Sequence, residues 1–278
     1  MINIIVPFSK PEFKNNTIEN FKRQIYKDKK LIIIENGDGV DSFRDSEYII
    51  LSSGKHQSLA KNEGIDWIKK NGGGWWTVFD SDDYYGPNYL EEISQNLNKS
   101  EVIGKHDRFI KTENDKLVLT YNLCENNYSS SIQGPTITAR AEECCYFEEV
   151  YDSFGKPVSW DDSLFIKKMT QMGARIYSTS RYNFIQCRYK DAQHVWKITS
   201  NEIIQAFLEY GGKAIRLDEF DYDIVNNKKE CGFIEIKKAE FILENSAWYK
   251  YNKSRNTSFS DFIKSCGFEP NEELLSDA

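Results

Sequence analysis

Trp75-Trp76-Thr77-Val78-Phe79 runs straight into Asp80-Ser81-Asp82-Asp83. A short apolar run of aromatic and β-branched residues reads as a buried strand. Three carboxylates in four residues cannot follow it into a core, so they mark the strand's carboxyl end and the rim of a cleft. In an extended chain the side chains at i and i+2 point the same way, so the spacing predicts that Asp80 and Asp82 converge. Two hard carboxylates suit Mg²⁺ or Mn²⁺, which are held by few protein ligands together with substrate phosphates. A solvated acidic turn explains the same residues, and at this point both readings stay open.

Upstream, strand and helix signals alternate. Ile2 to Pro7 and Lys30 to Glu35 read as buried strands, Tyr48 to Leu51 as a third, and Trp75 to Phe79 as the fourth. Asn16, with Glu19 three residues on, predicts the capped start of a helix carrying Ile18, Phe21 and Ile25 on one face. A second helix is predicted from Ser58 to Lys70, broken by Gly72-Gly73-Gly74. This alternation predicts an α/β fold with a mixed, largely parallel sheet flanked by helices. Ligands of such sheets sit at the carboxyl ends of the strands. Here those ends carry Pro7-Phe8-Ser9, Glu35-Asn36 and the acidic tetrad.

Downstream, Val102 to Lys111 and Leu117 to Asn122 read as a hairpin, and Arg175 to Ser178 and Tyr182 to Cys187 as strands. A helix is predicted to open at Asp161 or Asp162, with Phe165, Met169 and Met172 on one face and Gly173 as its stop. The pattern divides the chain into a catalytic domain, 1–200, and a helical C-terminal region, 201–278. The first divides again into two halves, 1–100 and 101–200. Acidic residues outnumber basic ones, 43 to 36, which argues against nucleic acid as a partner. The longest aliphatic run, Leu31 to Ile34, is far too short to span a membrane. Six cysteines without C-x-x-C spacing suit a reduced compartment. With no basic start before an apolar stretch, the expectation is a cytoplasmic protein.

Ile4-Ile5-Val6-Pro7-Phe8, Leu31-Ile32-Ile33-Ile34-Glu35-Asn36-Gly37, Leu59-Ala60-Lys61-Asn62-Glu63-Gly64 and Phe79-Asp80-Ser81-Asp82-Asp83 stand in order, and Asp161-Asp162 follows Asp82 by 80 residues. Together these blocks resemble glycosyltransferase family 2, over roughly residues 1–200. The resemblance implies a Rossmann-like GT-A fold and an inverting, metal-dependent hexosyl- or N-acetylhexosaminyl-transferase. Pro7 and Ser9 would line a uridine pocket and Glu35 would accept from uracil N3–H. Lys61 and Asn62 would contact the base or the donor side of the pocket, and Asp80 the ribose or donor sugar. Asp82, with Asp80, would hold Mn²⁺ or Mg²⁺ on the diphosphate, and Asp162, or its rival Asp161, would be the catalytic base. Arg140 would meet donor phosphate or acceptor, and His194 the metal or the leaving diphosphate. The donor would be a UDP-sugar. The acceptor would be a bacterial surface glycan, a polyol-phosphate polymer of the teichoic-acid kind, or a lipid-linked sugar of cell-wall or capsule synthesis.

The sequence departs from the family pattern in four places, the first being the loop Pro7-Phe8-Ser9-Lys10-Pro11, which is one residue short. Glu35 stands where Asp is usual, Lys61 where Arg is usual, and the acidic pair reads Asp-Asp rather than Glu-Asp. The stretch Trp248 to Arg255 interleaves aromatic and basic residues and suggests peripheral contact with an anionic membrane. Two other functions fit the residues alone. An aspartyl-nucleophile phosphatase or phosphotransferase also places Asp-x-Asp after an apolar strand, and a non-catalytic glycan-binding protein needs no base at all.

Overall fold

The computed structural model describes residues 1–36, 43, 48–54, 56–111, 117–121, 124–151, 161–188, 213–217, 221–228 and 233–235. Four strands anticipated from the sequence form one half of the main sheet. These are β1 (Ile2–Phe8), β2 (Lys29–Asn36), β3 (Ile49–Ser53) and β4 (Trp75–Val78). β1 pairs in parallel with both β2 and β4, and β2 with β3. Helix α1 (Lys14–Arg23) follows β1, and α2 (Gln57–Lys70) follows β3.

The period of two explains why these strands are apolar throughout. On one face Ile5, Ile32, Ile34 and Val78 pack with Ala60, Ile65 and Ile68 of α2 and with Phe165 and Met169 of α4 (Asp161–Gln171). On the other, Ile4, Val6, Phe8, Leu31 and Ile33 meet Ile18 and Phe21 of α1 and Leu90 and Ile93 of α3 (Tyr89–Asn96). A parallel sheet covered on both faces has no side left for polar residues. Each large aliphatic side chain so buried contributes about 1.5–3 kcal/mol. The register Ile5↔Val78 brings the carboxyl ends of β1 and β4 out of the sheet side by side.

Beyond β4 the sequence reading needs correction. The predicted single strand from Val102 to Lys111 is two strands in two sheets. β5 is Tyr84–Tyr85, β6 Val102–Gly104 and β7 Arg108–Lys111. β8 is Leu117–Tyr121, β9 Asn127–Tyr128 and β10 Thr138–Arg140. β11 is Ile176–Ser178 and β12 Phe184–Cys187. The main sheet has the order β3-β2-β1-β4-β10-β6-β11-β9. Between β6 and β7 the chain breaks at Lys105-His106-Asp107, where the Lys105 amide donates to Thr136 Oγ1, its carbonyl accepts from the Gln133 amide, and its buried ammonium is held by Glu92, Thr179 and Ser180. β7 then pairs with β8 as predicted, but in a second sheet.

That second sheet also takes in β13 (Lys213–Leu217) and β14 (Phe233–Glu235), in the order β14-β13-β8-β7-β12-β5. A helical region was expected from 201 onward, yet the described residues there are these two strands and one short helix, α5 (Tyr222–Val225). β13 is drawn to the open edge of β8, where pairing satisfies its backbone groups. Among the described residues no helix is long and apolar enough to cross a membrane. Cys144 and Cys145, adjacent in the chain, are free thiols.

Candidate active site

The acidic tetrad leaves β4 as a turn, in which the Asp83 amide donates to the Asp80 carbonyl at 3.3 Å. The pleat therefore does not aim these carboxylates, as the i, i+2 spacing had suggested; side chains from elsewhere do. Asn16, expected to cap α1, lies inside it and donates from Nδ2 to the Ser81 and Asp83 carbonyls at 2.7 and 2.8 Å. One turn on, buried Asn20 donates to the Asp83 carbonyl at 2.8 Å and accepts from the Tyr85 amide at 3.1 Å. Gln24 donates to the Gly86 carbonyl at 2.9 Å and accepts from the Leu90 amide. Three amides at i, i+4 and i+8 form one stripe along α1 and its end, and they fasten residues 81–90 to it. The Tyr85 hydroxyl accepts from the Asp80 amide and donates to the Pro135 carbonyl, each at 2.8 Å. It ties the acidic turn to the segment 134–136.

The second acidic pair opens α4 and faces the same place. Lys61, on α2 and only 1% exposed, donates to Asp161 Oδ2 at 2.9 Å and to Asp162 Oδ1 at 2.5 Å. Burial alone would depress the Lys61 ammonium, but Asp162, Asp161 and Asp80 outweigh it and hold the lysine charged well beyond the usual range. Asp161 is buried and also accepts from the Ser58 hydroxyl at 3.2 Å. Burial would raise its carboxyl, yet Lys61, Ser58 and His56 together bring it below the ordinary value. Asp162 is the more open of the two. Burial and the Asp161 charge keep its carboxyl above the ordinary value in spite of Lys61. Its Oδ2 lies over Gly134, where an added Cβ would stand 1.7 Å away. Only glycine lets Asp162 approach there.

At the front, Lys10 donates to Asp82 Oδ2 at 2.7 Å, and Gln57 reaches Asp80 Oδ1 at 3.5 Å. Burial and the neighbouring Asp82, with Asp162 behind, push the Asp80 carboxyl up to about 7 against the pull of Lys61 and Lys10. Among the described residues no three His, Cys, Asp or Glu side chains are grouped to hold a metal ion alone. The residues fit a cation that shares its coordination with a ligand. Asp80 and Asp82 offer two hard oxygens, and the repulsion that lifts Asp80 is what a divalent cation would relieve. Asp83 is spent on structure: its Oδ1 accepts from the Cys187 amide of β12 at 2.8 Å.

Among solved structures the chain resembles S. aureus TarS 1-349 in complex with UDP-GlcNAc, with 16% identity over 74% of this chain and 63% of that one and a TM-score of 0.51. It also resembles the mannosyltransferase PcManGT from Pyrobaculum calidifontis, in complex with GDP-Man and Mn²⁺, with 11% identity over 96% and 79% of the two chains and a TM-score of 0.51. The fold is GT-A-like. No protein-family model matches the sequence, and no curated protein does. The chain spans under two thirds of the TarS fragment, so what it shares with it is architecture.

Within that architecture the predicted residues separate into groups. Pro7, buried at the end of β1, and exposed Ser9 adjoin Lys10 at the mouth of the cluster. Glu35, the last residue but one of β2, is half-buried, with Oε1 accepting from the Phe43 amide at 3.1 Å. Three residues have their described partners elsewhere. Lys61 is buried and faces the acidic pair of α4. Asn62 spends both ends of its amide on the backbone of Phe147, each at 2.9 Å. Arg140 pairs across from Trp75, at the start of β4 and so the far end from Asp80, and its exposed guanidinium meets Glu143 at 3.5 Å. Because β10 runs antiparallel to β4, Arg140 stands at the rim opposite the acidic turn. His194 and the stretch 248–255 lie outside the described residues.

His56 is a helix cap. Its Nδ1 accepts from the Ser58 amide at 3.1 Å and its Nε2 contacts the Val150 carbonyl at 3.3 Å. Two residues that shape the site, Asn20 and Tyr85, were missed in the sequence. The 16-20-24 amide spacing is a signal for the first; nothing local distinguishes Tyr85 from Tyr84.

Proposed function

We propose that the chain is an inverting glycosyltransferase of the family 2 kind, moving a hexose or N-acetylhexosamine from a UDP-sugar to an acceptor hydroxyl. The observation that carries the reading is a second acidic pair, 80 residues on in sequence and held by buried Lys61, within electrostatic reach of Asp80 at the end of β4. The two solved structures that share the fold hold UDP-GlcNAc in one case and GDP-Man with Mn²⁺ in the other.

Asp80 and Asp82 would hold Mn²⁺ or Mg²⁺, with His194 as a further ligand to the metal or the diphosphate. When bound, the metal supplies positive charge against the diphosphate as it leaves. Pro7, Ser9 and Glu35 would form the uridine side, with the Glu35 carboxylate accepting from uracil N3–H. Asp162 is the base. Its Oδ1 is pinned by Lys61, which leaves Oδ2, over Gly134, to take the proton of the acceptor hydroxyl as that oxygen attacks the anomeric carbon. Its raised pKa makes it the better proton acceptor. Asp161, lowered and doubly hydrogen-bonded, is its support. No covalent intermediate is required. The acceptor class is a surface glycan, a polyol-phosphate polymer or a lipid-linked sugar. The enzyme would meet it in the cytoplasm, with 248–255 against the inner face of the membrane.

A thermal-shift panel of UDP-, GDP-, dTDP- and CMP-sugars, with and without Mn²⁺, tests the reading. A ligand of the folded state stabilises it by about 2.7 kcal/mol at a hundred times its Kd. A UDP-sugar should raise Tm, and more with Mn²⁺. Stabilisation by none of the four nucleotides contradicts the proposal.

A further inference from the structure

Lys10 is a feature that the family resemblance did not single out. It leaves β1 beside the acidic turn because β1 and β4 run parallel in register. Its backbone is extended, at φ −124° and ψ 91°, immediately before Pro11, which disfavours the helical alternative for the residue ahead of it. That conformation presents the ammonium to Asp82 Oδ2 at 2.7 Å, with 22% of the lysine side chain and 10% of the aspartate still exposed. Among the described residues four carboxylates, Asp80, Asp82, Asp161 and Asp162, face two ammonium groups, Lys10 and Lys61. Fully ionised, the cluster carries a net charge of two negatives, the complement of one divalent cation. Lys61 is sealed and shared between two partners, whereas Lys10 reaches in from solvent on a flexible stem.

We propose that Lys10 is an exchangeable counter-ion: it neutralises Asp82 while the site is empty, yields that oxygen to the divalent cation, and turns its ammonium to the donor's diphosphate. The inference rests on the proposed nucleotide-sugar function and deepens it. A lysine suits the exchange, since its ammonium is a compact charge with three rotatable donors. An anion arriving beside it supplies a new partner as the old one is lost, so the positive charge is never left bare in the cleft.

The test is Lys10→Met, which keeps the stem and removes the charge. Mn²⁺ binding is measured by calorimetry without nucleotide, and UDP binding at saturating Mn²⁺. With its competitor gone, Asp82 should bind Mn²⁺ roughly threefold to tenfold more tightly. UDP should bind roughly tenfold to a hundredfold more weakly, the scale of a lost charge-assisted hydrogen bond. Lys10→Arg should restore UDP binding in large part. Opposite shifts are the signature, because a variant that merely disturbed the loop would weaken both. Two shifts of the same sign, or no shift in either constant, overturn the inference. Failure of the wild-type chain to bind UDP with Mn²⁺ would instead remove the function on which it rests.

Discussion

The acidic cluster has two sides, and each is neutralised by a lysine of a different kind. Behind it, Lys61 projects from the second turn of α2, is buried, and bridges two carboxylates of α4. In front, Lys10 stands on the connection after β1, partly exposed, with one carboxylate partner. The rear pair holds two helices and the base in one geometry. The front pair lies where a charged ligand arrives. The difference teaches that burial, more than charge, decides which of two lysines beside aspartates is scaffold and which can exchange partners.

Removing each ammonium in turn sharpens that contrast. Lys61→Met leaves Asp161 and Asp162 buried without their cation, and breaking a buried pair in this way costs about 3–5 kcal/mol. Denaturant unfolding of the metal-free chain should show that loss, while Lys10→Met in the same experiment should change stability by under about 1 kcal/mol. Equal losses for the two variants would erase the distinction.

A smaller effect follows from the crowding of the front carboxylates. The Asp80 carboxyl moves from an ordinary value of 3.8 to about 7 on folding. Between those two values the folded chain holds a proton that the unfolded chain has released. Stability must then fall as pH rises through that window. In EDTA, the Tm of the metal-free protein should be several degrees lower at pH 8 than at pH 5, and Asp80→Asn should flatten this dependence. A slope that the variant leaves unchanged would place the titration elsewhere.

How much of this was legible in the sequence follows from what is local. The central strands were readable because burial on both faces leaves unbroken apolar runs such as Leu31-Ile32-Ile33-Ile34. The carboxyl-edge location of Asp80 and Asp82 follows from strand order. The helix at Asp161 announces itself through Phe165, Met169 and a stop at Gly173, which adopts φ +90°. The split of 102–111 between two sheets was not legible, because a strand's partners are chosen across the chain. The surroundings of Lys61 and Arg140 were not legible for the same reason. Their roles depend on which way a helix turns its face and on the antiparallel run of β10, and neither is written in the neighbouring residues. Asn16 looked like a cap because caps are the commoner use of asparagine near a helix start; its partner loop lies 65 residues away.

The central claim is that the front pair binds and the rear pair reacts. Asp162→Asn tests it most directly, with UDP affinity in Mn²⁺ and single-turnover sugar transfer measured on the same preparation. The account predicts UDP binding close to that of the wild type and transfer slower by roughly 10²–10⁴, the usual worth of a general base. Transfer at the wild-type rate by Asp162→Asn would contradict it.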